Sequence, residues 1–190
     1  MEQMTLRSIA EAIGTGYSGE DRMIREISTD SRNLPEGCLF VALKGERFDG
    51  HQYVNDDLSQ GAAYAVVMED GVYPPERVFR VSDTRQAMLD SAGRDRRERG
   101  VKVVAATGSV GKTTTKEMVA CVVSAGYNTL KTQMTLNNEI GLSQTVLQLT
   151  AEHEAAVLEL GMDGPGQIAP LSRCAAPDIG VLTNIGISHM

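Results

Sequence analysis

The alternation of apolar and polar residues divides the chain into two regions with different textures. In the first region, assigned to residues 1–82, apolar positions share one face of a helix over 5–14, and a second helix is predicted over 51–60. Thr5 can cap the first of these helices and Gly14 can end it. Short β segments are predicted at 24–28, 38–43, 63–68 and 78–81. These elements predict a small N-terminal α/β domain.

The second region, residues 83–190, alternates longer strands with helices. Asp83 is a suitable N-cap for a helix over 84–98, and Gly100 can close it. Strands are predicted at 101–106, 155–160 and 179–183, and helices at 112–125 and near 137–148 and 165–173. The strands VKVVAA, AAVLEL and IGVLT are continuous apolar runs, which is typical of a mostly parallel sheet covered on both faces. Because the sequence stops soon after a strand, we expect this domain to be truncated and the chain to be part of a longer protein.

Composition narrows the functional classes. The net charge of −7 argues against a nucleic-acid partner, and no apolar run is long enough for insertion into a membrane. The three cysteines are widely spaced and include no CxxC pair, which favours reduced thiols over a disulfide framework or a zinc site. We therefore expect a cytoplasmic protein.

A phosphate-binding loop is predicted directly after strand 101–106. It reads Gly108, Ser109, Val110, Gly111, Lys112, Thr113, Thr114 and leads into a helix. Glycines let backbone N–H groups turn toward phosphate oxygens, and the helix N-terminus adds partial positive charge. Lys112 would reach the β- and γ-phosphates of a nucleotide, and the Thr113 hydroxyl would bind Mg²⁺. Ala106 stands where the general motif begins with glycine, so a simple glycine turn before a helix is the alternative.

Two residues that follow strands are candidate metal ligands. Glu159 ends the strand over 155–160, and His189 follows the last strand. At consecutive strand ends of one sheet, the two could approach the same metal. Taken singly, a glutamate at a strand end is more often solvated or capping, and a lone histidine is more often structural.

Polar groups gather in two further stretches. Between residues 28 and 54, Ser31, Arg32, Lys44, Asp49 and His51 lie in loops between short strands, which suits either a polar, phosphate-bearing ligand or ordinary solvated turns. Asn137 and Asn138 open the helix near 137–148. Helix capping explains one asparagine well and two less well.

These four stretches, in this order, resemble the Mur ligase family of ATP-dependent, amide-forming enzymes of peptidoglycan synthesis. The shared motifs are ATGSVGKTTTKEM, which has alanine at the same first position, together with LFVALKGERFDGHQYV, NNEIG, LELGM and TNIGISH. Within the family, the pattern is most similar to the member that joins D-alanyl-D-alanine to a UDP-N-acetylmuramoyl-tripeptide. That member usually has Gly-Asn where Met134 and Thr135 stand, Pro at Ser143 and Glu at Gln167.

The resemblance implies a UDP-sugar-binding first domain, a central ATP-binding domain and a C-terminal domain that this chain lacks. It implies ATP bound by the loop 108–114, with Lys112, Glu159 and His189 catalytic. Thr113 and Glu159 would hold one Mg²⁺ and His189 a second. Ser31 and Arg32, with Lys44, Gly45, Asp49 and His51, would bind the UDP-sugar, while Asn137 and Asn138 would contact the substrate near its reacting carboxylate. The implied reaction passes through an acyl phosphate, and we expect a monomer that is inactive without the missing domain.

Other functions remain open at this point. A tripeptide-forming ligase of the same family and a folylpolyglutamate synthase are the enzyme alternatives, although the latter usually lacks the first domain. A P-loop kinase or nucleotide switch would ignore UDP-muramoyl peptides. A UDP-sugar-binding module without catalysis would not depend on Lys112.

Overall fold

The computed structural model describes residues 4–186 and contains two compact units, one ending at Ser91 and the other beginning at Ala92. This division falls inside helix α3, which spans Thr84–Arg99. The sequence pattern predicts that the second domain begins at the start of the same helix. Asp83 caps α3 as expected, because its Oδ1 accepts hydrogen bonds from the N–H groups of Arg85 and Gln86.

The first unit is built on a four-stranded parallel sheet. Its elements are β1 (Met4–Thr5), α1 (Leu6–Ala12), β2 (Met23–Ile24), β3 (Ile27–Ser28), β4 (Leu39–Val41), a 3-10 helix (Gly50–Tyr53), α2 (Val54–Gln60), β5 (Tyr64–Val67), a 3-10 helix (Pro75–Arg77) and β6 (Val78–Arg80). The order β3-β4-β5-β6 is parallel throughout, and β1 pairs with β2 in a separate antiparallel ribbon. The strand predicted over 24–28 is therefore two strands in two sheets.

Alternating side chains of this sheet pack into two separate apolar clusters. Leu39 and Val41 belong to the cluster that contains Leu6 and Ile9 of α1. Phe40, between them, belongs to the cluster that contains residues of α2. Because successive side chains of a strand point to opposite faces, α1 and α2 cover opposite faces of the sheet. The Thr5 hydroxyl caps α1 by accepting from the N–H of Ser8 at 3.1 Å, as the sequence predicts.

The second unit is a four-stranded parallel sheet with helices between its strands. Its elements after α3 are β7 (Lys102–Thr107), α4 (Lys112–Val123), β8 (Thr129–Lys131), α5 (Glu139–Val146), β9 (Ala155–Glu159), α6 (Ile168–Ala175) and β10 (Ile179–Leu182). The strand order is β10-β7-β9-β8. Every residue of β9 is buried, as expected for a central strand of a covered parallel sheet. The expected α/β class is confirmed, whereas β8 was not predicted.

The strand order brings distant parts of the sequence to one edge of the sheet. Helix α4 carries the chain from β7 past β9 to β8, and β10 then pairs with the other side of β7. The chain thus leaves β7 toward one edge of the sheet and later returns to the other side of β7, so the order of the strands reverses beside β7. In open α/β sheets, ligands bind outside the carboxyl ends of the strands at such a reversal. Within residues 4–186, none of the helices combines the length and apolar character needed to cross a membrane.

Candidate functional site

The loop between β7 and α4 has the backbone geometry of a tight glycine turn. Gly108 has φ of +139° and Gly111 has φ of +84°, both in the region that favours glycine. A Cβ atom on Gly108 would lie 2.1 Å from Oγ1 of Thr183, so no side chain fits there. Helix α4 begins at Lys112, immediately after the loop. A helix N-terminus carries N–H groups outside the helical hydrogen-bond pattern and the positive end of the helix dipole, so this end of α4 is suitable for an anion.

Lys112 lies folded over the loop that precedes it. Its Nζ donates to the carbonyl oxygen of Gly108 at 2.8 Å and to that of Ser109 at 3.5 Å. Thr113 and Thr114 are exposed in the first turn of α4. The ammonium group and the two hydroxyl-bearing residues therefore lie at the mouth of the loop, where phosphate oxygens would bind.

The segment that follows β10 is hydrogen-bonded to the same loop. Asn184 accepts two hydrogen bonds from loop amides: its carbonyl oxygen from Ser109 N–H at 3.2 Å and its Oδ1 from Val110 N–H at 2.9 Å. The Ser109 hydroxyl donates to the carbonyl oxygen of Gly186 at 2.8 Å. Asn184 is not among the site residues predicted from the sequence. Its only signal was its place in the TNIGISH stretch after a strand.

Glu159 is buried at the end of β9, beside the start of the loop. It is paired in register with Ala106, and its relative exposure is 1%. Leu160 N–H donates to the Ala106 carbonyl, and the Thr107 hydroxyl donates to the Leu160 carbonyl, which ties the ends of β7 and β9 together. Oε1 of Glu159 accepts from Nδ2 of Asn137 at 2.8 Å. Oε2 is buried and has no hydrogen-bond partner within residues 4–186.

This unpaired oxygen fits a divalent cation. Burying a carboxylate oxygen without a partner is unfavourable unless a cation or a proton accompanies it. Mg²⁺ is commonly bound by one or two protein oxygens together with phosphates and waters, so one buried carboxylate and one hydroxyl would be enough protein ligands. Within the described residues there is no cluster of three or more His, Cys, Asp or Glu side chains that could hold a metal alone. His189, the other predicted ligand, lies outside the described residues.

The two adjacent asparagines have different roles in the structure. Oδ1 of Asn138 accepts from Gly141 N–H at 2.9 Å and caps α5. Asn137 instead turns its side chain to Glu159. Capping thus explains one asparagine, and the orientation of the buried carboxylate explains the other.

In the first unit, His51 is buried and both of its ring nitrogens are engaged. Nε2 accepts from the backbone N–H of Met68 at 3.1 Å, so the ring proton belongs on Nδ1, which lies 2.7 Å from Oδ1 of Asp49. Partial burial acts to raise the pKa of the Asp49 carboxyl, but the hydrogen bonds from the backbone and ring of His51 outweigh it and lower that pKa. His51 and Asp49 therefore fix the loop that begins at Lys44.

The predicted cations of this unit remain at the surface. The Arg32 guanidinium binds both oxygens of Asp30, at 2.8 and 2.9 Å, and these hydrogen bonds lower the pKa of Asp30 to about 2. Nζ of Lys44 lies 2.8 Å from Glu69, and Gly45 N–H donates to the carbonyl oxygen of Phe48. Ser31 is half-buried in the turn beside Arg32. Lys44 also lies 4.0 Å from Asp49, and exposed cations such as Arg32 and Lys44 can exchange acidic partners for a phosphate-bearing ligand.

Both units of the chain are similar to parts of known proteins. The UDP-N-acetylmuramoyl-tripeptide–D-alanyl-D-alanine ligase of Bacillus subtilis is 43% identical over 196 residues, covering 100% of this chain and 43% of that protein. The crystal structure of MurF from Acinetobacter baumannii matches with a TM-score of 0.88 and 36% identity, covering 100% of this chain and 42% of that one. MurF of Thermotoga maritima, solved in complex with ADP, matches with a TM-score of 0.78 and 35% identity, covering 85% of this chain and 38% of that one. The chain thus spans about two fifths of the length of these relatives.

Two family models match successive parts of the chain. The model described as the Mur ligase family catalytic domain matches residues 23–97, which include the loops around Arg32, Lys44 and His51. The model described as the Mur ligase middle domain matches residues 106–190, which include the phosphate loop and Glu159. The chain therefore belongs to the Mur ligase family.

Proposed function

We propose that this chain is the nucleotide- and UDP-substrate-binding part of a MurF-type ligase. The observation that carries the proposal is the pairing of Glu159 with Ala106 at the start of the phosphate loop. It brings there a buried carboxylate, one oxygen of which has no hydrogen-bond partner within residues 4–186. A loop, a lysine and a carboxylate in this arrangement suit ATP with Mg²⁺.

The residues of the loop would bind and orient the nucleotide. The amides of 108–114 would cradle the phosphates, and Lys112 would exchange its carbonyl partners for phosphate oxygens. Thr113 and Glu159 would hold Mg²⁺, which when bound offsets negative charge on the transferring phosphoryl group. The tight contact between the ends of β7 and β9 keeps Glu159 at a fixed position relative to the loop.

The proposed reaction joins D-alanyl-D-alanine to UDP-N-acetylmuramoyl-tripeptide. The terminal carboxylate of the tripeptide attacks the γ-phosphorus of ATP, which gives an acyl phosphate and ADP. The dipeptide amine then attacks the acyl carbon, inorganic phosphate leaves, and the amine loses a proton as the amide forms. The substrates are assigned from the name of the Bacillus subtilis relative, to which this chain is 43% identical.

The first unit would bind the UDP-sugar. Arg32 and Lys44 are exposed cations that suit the diphosphate, with Ser31 and Gly45 beside them. Because both ring nitrogens of His51 are engaged, we propose that His51 and Asp49 hold this binding loop in shape. We further propose a cytoplasmic monomer. Cys38 and Cys121 are thiols outside any disulfide, which supports a reducing compartment.

Nucleotide binding is tested by calorimetry with a non-hydrolysable ATP analogue and Mg²⁺. Lys112→Met should weaken binding about 10- to 100-fold, since it removes charge-assisted hydrogen bonds to phosphate. Lys102→Met is the matched control, because Lys102 lies at the start of β7, the strand that leads into the loop, and pairs with Asp178 at 2.9 Å. The same loss in both variants would contradict the proposal.

Substrate choice is tested by phosphate release with the protein expressed from its complete gene. Release should require both UDP-N-acetylmuramoyl-tripeptide and D-alanyl-D-alanine. Release with a UDP-muramoyl-dipeptide and a single amino acid would instead identify a tripeptide-forming ligase. Nucleotide hydrolysis that ignores all UDP-muramoyl peptides would identify a kinase or switch.

A further inference from the structure

Thr132 is a fully buried residue at the point where the chain leaves β8, and all three of its polar groups are bonded. Its N–H donates to the carbonyl oxygen of Val157 at 3.1 Å, and its hydroxyl oxygen accepts from Glu159 N–H at 3.0 Å. Thr132 therefore extends the ladder between β8 and β9 by one residue. In a regular ladder, the backbone N–H of Glu159 would donate to a backbone carbonyl of the neighbouring strand. Here it donates to the Thr132 hydroxyl instead.

The third polar group of Thr132 is held by a buried lysine. Nζ of Lys116, on α4, donates to the carbonyl oxygen of Thr132 at 2.8 Å. Lys116 is 0% exposed, and its charge is balanced by Oε1 of Glu117 at 2.6 Å. Hydrogen bonds from Lys116 and Lys131 lower the pKa of Glu117 to about 2, so this counter-charge persists at neutral pH.

These contacts join the phosphate-loop helix to the candidate metal ligand. Lys116 lies one helical turn after Lys112 and Thr113 in α4, and Thr132 contacts the backbone of Glu159. A buried charge is expensive unless it is paired and bonded, so a lysine here requires a compensating benefit. Fixing the distance between the two sides of a cation site would be such a benefit, since partners behind the ligands orient them.

We propose that Thr132 is a positioning residue for Glu159 and that Lys116 holds Thr132 in place, so that the divalent-cation affinity of the nucleotide site depends on both. The inference rests on the proposed function, because it takes Glu159 as the ligand of the nucleotide-bound cation. It predicts an effect on the metal-dependent part of nucleotide binding and none on the part that the loop provides alone.

The test compares the affinity for a non-hydrolysable ATP analogue in Mg²⁺ and in EDTA, using Thr132→Val, Thr132→Ser and Lys116→Met. Magnesium should tighten binding to the native chain. In Thr132→Val, this tightening should fall about 10-fold, the loss typical of removing a partner behind a metal ligand, while affinity in EDTA stays at the native value. Thr132→Ser keeps the hydroxyl and should retain the native tightening. Lys116→Met should lose tightening in the same direction as Thr132→Val.

The outcomes separate this inference from the proposed function. A native chain that binds no analogue in either condition contradicts the proposed function. Native magnesium-dependent binding that Thr132→Val leaves intact overturns the inference alone. An equal loss in Thr132→Ser and Thr132→Val, with equal falls in melting temperature, assigns Thr132 a merely structural role and also overturns it. If Thr132→Val does not fold, Lys116→Met decides, and native tightening in that variant overturns the inference.

Discussion

The side-chain nitrogen of Asn137 lies 2.8 Å from Oε1 of Glu159 and donates a hydrogen bond to it. One oxygen of the carboxylate is thereby fixed, and the other, Oε2, is left without a partner within residues 4–186. The backbone of Asn137 is also anchored, because Gly161 N–H donates to its carbonyl oxygen at 2.9 Å. Asn137 therefore sets the direction in which the unpaired oxygen of Glu159 points.

Asn137→Ala should weaken the magnesium-dependent binding of a nucleotide. The freed carboxylate would sample several orientations, and the loss of a partner behind a metal ligand typically costs about 10-fold in metal affinity. Calorimetry with and without Mg²⁺ measures the effect.

Asn138→Ala is the matched control for this change. Asn138 caps α5, so its loss should lower the free energy of unfolding by about 1 kcal/mol while metal-dependent binding by the folded protein stays native. If Asn137→Ala and Asn138→Ala both lower the free energy of unfolding and neither weakens magnesium-dependent binding, Asn137 does not orient the metal ligand.

Asn184→Ala should strengthen nucleotide binding. The Val110 amide now donates to Oδ1 of Asn184, and a phosphate must displace that acceptor to bind the amide. Removing one competing hydrogen bond is worth about 0.5–1.5 kcal/mol, which corresponds to about 2- to 10-fold in affinity. Asn184→Asp keeps the acceptor and adds a negative charge, so it should weaken binding. Weaker binding in both variants would mean that Asn184 shapes the loop for the nucleotide instead of competing with it.

The sequence predicted the central features of the second unit for clear physical reasons. Strands β7 and β9 are long, continuous apolar runs, and glycines followed by a lysine between a strand and a helix are typical of a phosphate loop. Helices α1 and α3 begin at the predicted caps, Thr5 and Asp83, because capping is a local interaction that a few residues determine.

The features that the sequence did not reveal depend on contacts between distant residues. Strand β8 contains one buried apolar residue, Leu130, so its hydrophobic pattern is too short to recognise. The segment is a strand because it pairs with β9, which lies far along the sequence. Lys116 occupies an inward position of α4 one turn before Ala120, where sequence patterns predict an apolar side chain. A lysine at a position where the helix pattern expects an apolar side chain could have indicated a buried polar contact such as the one with Thr132. The hydrogen bonds of Asn184 likewise depend on β10 pairing with β7.

Asp57→Asn should stabilise the protein at neutral pH. Asp57 is 1% exposed in α2, and burial, followed by the charge of Asp56, raises its pKa from the ordinary 3.8 to about 6. The folded state therefore binds the proton more tightly than the unfolded state. The contribution of Asp57 to stability should fall as pH rises from about 4 to about 6 and then level off, with a total change of up to about 3 kcal/mol.

Denaturant titrations across pH 3.5–7.5 measure this dependence. Asp57→Asn should remove most of the decline, and its advantage over the native chain should be largest above pH 6. Cys38, whose pKa burial raises to about 11, stays neutral throughout and adds no slope. Asp56→Asn, which changes an exposed carboxylate on the same helix, should leave most of the decline in place. An equal pH dependence of stability in the native chain and in Asp57→Asn between pH 4 and 6 would contradict the prediction.

Met134→Gly should also stabilise the protein. Met134 has φ of +48°, a left-handed conformation that costs a non-glycine residue about 1 kcal/mol or more, and its side chain is 82% exposed. Glycine adopts this conformation freely, although its more flexible unfolded state offsets part of the gain. We expect a rise of about 0.5–1 kcal/mol in the free energy of unfolding. Met134→Ala removes the same exposed side chain but keeps the unfavourable φ, so an equal gain from alanine would show that the backbone is not the cause.

The position of β7 between β9 and β10 has a consequence for how the protein folds. Both neighbours of β7 come from later in the chain, and each is paired with it in parallel register. Such non-local pairings close long loops of chain before any contact compensates the lost entropy, and they slow folding. During synthesis, Gly108 to Thr114 emerge from the ribosome well before Glu159 and Asn184. Nucleotide added to nascent chains should therefore protect the loop from proteolysis only after residues beyond β10 have emerged.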